Sequence, residues 1–533
     1  MNASKKLCWS QEMPRLIHPS VAPSRPASTR IIYRSCRVYA GGVTRGVPVR
    51  AGGFGNAAVL VRLVGAAVSV ALVGAPAWGQ AGSDATPYHA GRDSGAPAEA
   101  QLEEARTRTQ LRPRPMVAPA VSEPGWTIDL GGQTRVRGDF VRNQSLTDFT
   151  FTPGHEEFQL LQRTRLRASV ENADLGIALF TQGQWYGRWG GTDEGSDPDL
   201  YQAYIEWRDA FGLPVSVRAG RQDFSYGSAF FLGANDFYNG LSWDGLQARI
   251  RASSDLGIDL IASRMVELTP GDPEVFLTGI YATYAAFEGS SLEGYFFHSR
   301  GGYPFFHREF QKDDPDQRWF TLGTRVAVAK WGFDAELEPQ FQWGRVESVS
   351  GGGRDEVRAY GGHLDVGYSF EASWEPRVFA AYALGSGHDD ISDGRYEEFH
   401  GNAFNDNYLV GDTGVVADLS GVTVAGVHSS GMHVGVAGVS VRPLDSLDLN
   451  VDLHRFVGMD APSGFSSDLG VELNLVAAYQ ISDRLSVVVG LNRFYPGRFF
   501  RQAGASGRDV DYVYLQTQIE FGRRSRLRTR LGS

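Results

Sequence analysis

Arginines recur at every second position in two neighbouring stretches of this chain, Arg135 and Arg137 in the first and Arg163, Arg165 and Arg167 in the second. Arg218 with Gln222, and Arg249 with Arg251, keep the same parity further along, and Gln182, Gln184, Gln202 and Arg208 extend the polar row. A guanidinium is a planar fork that bonds both oxygens of a carboxylate at once, so such a row suits the holding or passing of a carboxylate-bearing anion. Asp129, Asp139, Glu171 and Glu206 lie close enough in sequence to pair with these arginines, in which case the row would only solvate a wet surface. A second row is acidic: Asp334, Glu336 and Glu338, then Asp448, Asp452 and Glu472.

Bond-breaking chemistry finds little support. The two cysteines, Cys8 and Cys36, precede the expected processing site, which leaves no thiol for catalysis or for Cys-based zinc. No Gly-x-Ser-x-Gly elbow or His-Glu-x-x-His helix occurs. His298, His307, His363, His388, His400 and His454 are scattered, whereas acid–base work needs partners in hydrogen-bond reach. The sequence therefore reads as a non-enzyme without a cofactor. The acids Asp389, Asp390 and Asp393, with Glu397 and Glu398, sit in the long segment Gly385 to Gly431, expected to fold inward as a constriction. Carboxylates bind Ca²⁺, but this spacing lacks the alternate ligands and following Gly of an EF-hand loop, so no metal is expected.

A spacing of two is the period of a strand, and the elements that must carry these rows are strands. From Trp126 to Arg142 the even positions include Trp126, Ile128, Leu130, Val136 and Phe140, while Asp129, Gln133, Arg135, Arg137 and Asp139 fill the odd ones. In Trp331 to Trp343, Phe333, Ala335, Leu337 and Phe341 alternate with Asp334, Glu336, Glu338, Gln340 and Gln342. Soluble sandwiches alternate too. Here, however, many runs reach the ~10 residues that a tilted strand needs to cross a bilayer.

Connections also alternate in length. Tight ones fall at Asn172 to Asp174, Asp209 to Pro214, Ser253 to Asp255, Gly289 to Ser291, Lys330, Glu371 to Ser373, Pro443 to Ser446 and Ser482-Asp483. Long ones lie between, among them Asp223 to Ser242, Arg300 to Asp316, Gly385 to Gly431 and Pro496 to Asp509. This rhythm predicts an all-β fold: a single antiparallel transmembrane β-barrel of about 18 strands with tight periplasmic turns and longer outer loops. Trp126, Trp185, Trp207, Trp243, Trp319, Trp331, Trp343 and Trp374 stand near run ends, as in interfacial girdles.

Plentiful Gly (65), Phe (31) and Tyr (21) fit many strands and turns. The run from Leu63 to Ala77, preceded by Arg50 and Arg62 and ending Ala75-Pro76-Ala77, has the parts of a signal peptide and is short for a spanning helix. The expected organisation is an N-terminal extension and signal peptide over 1–79, a Pro/Ala-rich disordered linker over 80–125, the barrel over 126–522 and a basic tail over 523–533. The chain carries a formal charge of −10 although its N-terminal extension is basic, so the remainder is strongly acidic. Nucleic acid is thereby a poor partner, since it requires a basic footprint.

Several segments resemble the alginate export family of outer-membrane barrels: Tyr201 to Trp207, Arg218 to Gly227, Trp243 to Arg249, Gly385 to Asp390 with Asp393-Gly394, Leu469 to Asn474, and Phe494 to Phe499. They occur in family order between Trp126 and Phe521. The resemblance implies an 18-stranded outer-membrane barrel whose electropositive lumen passes a polyuronate such as alginate, or its oligomers, by passive diffusion. Strand parity places the substrate path along Arg135, Arg137, Arg163, Arg165, Arg167, Arg218, Gln222, Arg249 and Arg251. The implied partners are outer-membrane lipid, an anionic polysaccharide or oligosaccharide, and periplasmic export machinery. The alternative is a general or hydrophobic-solute porin without polyuronate preference. Arg221 falls on the lipid-facing parity and ranks below Arg218.

Overall fold

The computed structural model describes residues 125–526, apart from 147–150, 192–193, 235–239, 267–273, 286, 288, 302–316, 349–352, 391, 401–407, 417 and 506. The expected extension and signal peptide over 1–79, the linker up to 124 and the tail beyond 526 lie outside the described residues.

Strands run in sequence from β1 (Trp126–Gln144) and β2 (Phe151–Asn172) through β3 (Ile177–Trp189), β4 (Gly195–Trp207), β5 (Val215–Gln222) and β6 (Trp243–Arg251). Next come β7 (Leu256–Met265), β8 (Val275–Tyr284), β9 (Ser290–Gly301), β10 (Arg318–Lys330), β11 (Phe333–Glu347), β12 (Arg354–Ser369) and β13 (Arg377–Gly385). Two short strands, β14 (Arg395–Tyr396) and β15 (Gly421–Val424), belong to the long connection that follows. The wall resumes with β16 (Val427–Leu444), β17 (Leu447–Asp460), β18 (Asp468–Ser482), β19 (Leu485–Pro496) and β20 (Val510–Arg526). A five-residue helix, α1 (Arg498–Gln502), sits between the last two.

Neighbouring wall strands pair antiparallel, and β1 pairs with both β2 and β20, so the eighteen-stranded wall closes on itself and leaves no edge. Closure satisfies the backbone within the wall, as a membrane requires. Strand β20 continues to Arg526, into the segment expected to be a tail.

Parity sorts the side chains as a barrel demands. On β2, Phe158 and Leu166 are 53% and 58% exposed while Arg163 and Arg165, on the other face, are 2% and 3%. The same inversion holds on β11, where Leu337 and Phe341 are exposed and Glu336, Glu338 and Gln340 are buried. Apolar side chains outside and charged ones inside is the reverse of a water-soluble core, and it suits a wall that meets lipid on its outer face.

The tight connections fall at or beside the expected places: Lys330 closes β10 just before its turn, and Ser290 and Ser291 already belong to β9. Between β10 and β11 only Trp331 and Gly332 remain, with φ of 56° and 80°, the pair of positive angles that a type I′ hairpin needs. Asn172 accepts a hydrogen bond from the Leu175 amide at 2.9 Å and shapes the turn after β2. Two tryptophans depart from the girdle: Trp243 and Trp319 are fully buried on the inner face, whereas Trp185, Trp207, Trp331, Trp343 and Trp374 are exposed. A run end fixes height along the wall but not which face a residue takes, and strand parity sends these two inward.

Candidate pore lining and its inward loops

The interior has two differently charged sectors. In the first, β1 and β2 bring Arg135 directly opposite Arg163, and Gln133 opposite Arg165. On the other side of β1, Arg135 faces Gln518 and Arg137 faces Gln516 of β20. Arg135, Arg137, Arg163 and Arg165 are all buried on the interior side. Two like charges opposite one another in a ladder repel, so this register favours anionic company nearby. Arg137 donates to Asp139 at 2.7 Å and stacks over the Tyr514 ring at 3.7 Å. Arg165 donates to Gln184 at 2.7 Å and lies 3.6 Å from the centre of the Tyr201 ring. Aromatic faces add attraction that holds a guanidinium in place, and that of Arg137 also donates to Gln516 and Tyr512.

The remaining members of the basic row sit elsewhere. Arg218 donates to Glu206 at 2.7 Å, Arg249 lies 3.5 Å from Asp259, and Arg251 contacts Asp209. Arg167 is half exposed and 4.0 Å from Asp129. Gln222 is buried and donates to the Gly245 carbonyl at 3.4 Å. Arg221 instead forms a forked pair with Asp244 at 2.8 and 3.0 Å, one residue out of phase with buried Gln222.

The second sector is acidic and centred on β10 to β13 and β16 to β18. Its carboxylates bind other parts of the barrel. Asp334 accepts from Arg377 at 2.9 Å, and Arg325 donates to Glu293 and Glu336, each at 2.5 Å. Asp448 accepts from Arg442 at 2.9 Å, and Asp452 accepts from Asn474 at 3.0 Å. Glu472 receives the Thr413 amide at 3.0 Å, the Thr413 hydroxyl at 2.5 Å and the Asp412 amide. At Gly411, where φ is 79°, a Cβ would be strained and would crowd this carboxylate, so glycine eases the loop's approach to the wall.

Glu472 thus anchors the segment between β13 and β16 to the inner wall. Leu409, Val410, Val415, Val416 and Leu419 of that segment are buried, and Gln342 donates to the His400 carbonyl at 2.7 Å while accepting from the His400 amide at 3.1 Å. Asp389, Asp390 and Asp393 lie in its exposed part. Asp390 accepts from the Ser392 hydroxyl at 2.6 Å and its amide at 2.9 Å, bonds that hold its carboxyl below the usual range. Asp393 accepts from the Arg395 amide at 2.8 Å.

A second inward segment, between β5 and β6, was not legible in the alternation. Phe224, Phe230, Phe231, Leu232 and Leu241 are buried there, with Phe231 against Tyr295 and Phe297 at ring distances of 5.6 and 5.1 Å. The two segments approach each other where Phe230 lies 6.3 Å from Phe399. The signal available in the sequence was the run Phe230-Phe231-Leu232 inside a long connection, since three large apolar side chains there need cover. Arg325, Glu293 and Tyr295 are further interior residues that the sequence reading did not single out.

Comparison with known proteins gives two results. A family model described as alginate export matches residues 126–513. Among solved structures, Pseudomonas aeruginosa OccK5 (OpdH) superposes with a TM-score of 0.50 at 11% identity, covering 74% of this chain and 98% of that one. Pseudomonas aeruginosa OccK3 (OpdO) gives 0.50 at 13% identity, covering 74% and 96%. At such identities these likenesses concern the fold. No curated protein matches the chain.

Proposed function

The chain belongs to the alginate export family and is a channel of the bacterial outer membrane, and from that premise we propose that it passes an anionic polysaccharide, alginate or its oligomers, by passive diffusion along the basic sector. The observation that carries this reading is the register of Arg135 against Arg163, flanked by Arg137 and Arg165, all on the interior face. A sugar carboxylate can bridge two such forks, and a row of them passes it along without a deep minimum. Arg167, Arg249 and Arg251, which are more exposed, offer the same chemistry nearer one end of the wall. The four central arginines are covered by protein, with the β5–β6 segment reaching Arg165 at Gly240, so on this reading a hydrated polymer reaches them only when their cover gives way. In this reading the segments around Phe230 and Phe399 form the closure, and periplasmic export machinery delivers the polymer.

Family and fold are those of transport channels rather than of enzymes. One observation favours the second reading, a general or hydrophobic-solute porin: Asp139, Glu206 and Asp259 already neutralise Arg137, Arg218 and Arg249. Reconstitution in liposomes separates the two. Reversing the central pair (Arg135→Glu with Arg163→Glu) should lower uronate-oligomer flux about tenfold or more and remove anion selectivity in planar bilayers, because a focused field sets the local counter-ion concentration. Equal uronate flux through wild type and variant would overturn the proposal, and a wild-type channel indifferent to ion sign would favour the porin.

A further inference from the structure

One cluster in the acidic sector has bonding capacity that its neighbours do not use. Glu336 and Glu338 stand two residues apart on β11, and across the ladder His363 lies opposite Glu338 while Asp365 lies opposite Glu336. The strand period puts all four on the inner face, where all are buried.

Each of the first three has one polar atom held and one left over. Glu336 Oε2 accepts from Arg325 at 2.5 Å, Glu338 Oε1 accepts from the Tyr295 hydroxyl at 2.6 Å, and His363 Nδ1 contacts Asp365 Oδ2. Among the described residues the other atoms, Glu336 Oε1, Glu338 Oε2 and His363 Nε2, have no partner in hydrogen-bond geometry, the Ser228 hydroxyl being the polar neighbour of Glu336. They point at one another: Nε2 is 3.6 Å from Glu336 Oε1 and 3.8 Å from Glu338 Oε2. One ligating atom from each residue lies within 4.8 Å of the others.

With its proton on Nδ1 toward Asp365, a neutral imidazole presents the Nε2 lone pair to two carboxylate oxygens; in the metal-free barrel a second ring proton can face them instead, and a bound ion takes the place of that proton. Three acceptors converging in a buried space call for a cation. A tetrahedral ion about 2.1 Å from each ligand sets neighbouring ligand atoms about 3.4 Å apart, close to the separations here. A carboxylate behind a ligating histidine is also the usual outer support of such a site, and Arg325 and Tyr295 fix the two glutamates in the same way. Three carboxylates, Glu293, Glu336 and Glu338, surround the guanidinium of Arg325 and a fourth, Asp365, contacts His363, so a further positive charge is accommodated despite the 4.0 Å approach of Arg325 Nε to Glu338. The Phe230 ring packs 4.5 Å from the His363 ring and covers the cluster from the inward segment.

We propose that Glu336, Glu338 and His363 bind a divalent transition-metal ion of the Zn²⁺ class, with the fourth position left to water. Imidazole with carboxylate suits Zn²⁺ better than Ca²⁺ or Mg²⁺, which take all-oxygen shells. The ion ties β11 to β12 beneath Phe230 and offsets part of the acidic sector's charge. This inference stands apart from the transport reading, since metal binding is measured on the barrel without any substrate.

The test uses the folded barrel in detergent, stripped with a chelator and then titrated with Zn²⁺ by calorimetry and with Co²⁺ by visible absorption. Expected are one saturable site per chain and the intense d–d bands of a tetrahedral cobalt centre. Asp365→Asn keeps every ligand and should weaken binding about 10–100-fold, and His363→Gln should weaken it further. Glu356→Gln, at an exposed position on β12, should bind as wild type does. Should His363→Gln fail to show the heat-modifiable mobility of a folded barrel, Asp365→Asn still decides the matter. Absence of saturable binding in wild type, or wild-type affinity in Asp365→Asn, would overturn the site.

Discussion

The basic sector of β1, β2 and β20 and the acidic sector of β10 to β13 and β16 to β18 bury charge to a similar depth but dispose of it differently. Carboxylates in the acidic sector hold other parts of the protein: Asp334 binds Arg377, Glu336 binds Arg325, and Glu472 binds the backbone at Asp412 and Thr413. In the basic sector the register sets Arg135 against Arg163, and ring faces seat Arg137 and Arg165, with Arg137 also paired to Asp139. The lesson is that charge on an inner wall serves two purposes. Paired with the opposite sign it fastens loops and strands, and on the proposed transport reading the like-charged register of Arg135 and Arg163 adds a field for a mobile anion to answer.

This contrast can be broken where it is strongest. Arg377→Ala leaves Asp334 buried without its guanidinium and should destabilise the barrel by about 3–5 kcal/mol, read as a shift in urea-driven unfolding in lipid vesicles. A change no larger than that of an exposed surface substitution would show that the acidic sector is not fastened by its ion pairs. A smaller effect sharpens the picture. Glu472→Gln keeps the volume of the anchor but weakens three accepted hydrogen bonds, which should cost about 1–3 kcal/mol locally and raise the frequency of opening events in single-channel records. Gating indistinguishable from wild type would detach that segment from pore closure.

The least effect belongs to the exposed acids. Asp390→Asn should leave both unfolding and conductance unchanged, because among the described residues its carboxylate bonds to Ser392 within its own turn. Those bonds lower its folded pKa, so whatever they contribute is complete above the ordinary carboxylate pKa and disappears only as the pH falls through the lowered value. Conductance that tracks this titration would move the constriction outward to Asp389, Asp390 and Asp393.

How far the sequence could be read depended on whether a property repeats. Leu337 and Glu338 fall on opposite faces because consecutive residues of a strand always do, and many strands repeating the rule outvote local exceptions. The tight turns were legible for the same reason, although the one expected at Lys330 falls just beyond it, at Trp331-Gly332 between two well-formed runs. Trp243 and Trp319 were misplaced because aromatic identity at a run end fixes height and not facing. The segment between β5 and β6 was unreadable because a long connection has no period: Phe230 could be assigned to the interior only by seeing what it touches. Likewise His363 was one of several scattered histidines until the ladder set it across from Glu338.

By itself the sequence determined the closed antiparallel wall, the face that each strand residue takes, and the presence of a basic and an acidic row, since all of these follow from a period of two and from turn chemistry. Only the tertiary structure decided that Arg135 meets Arg163, that Arg325 and His363 gather around Glu336 and Glu338, and that two outer segments turn inward. The physical reason is that facing is a local property of one strand. Partnership, in contrast, depends on register between strands and on loops whose conformation is fixed by what they bury.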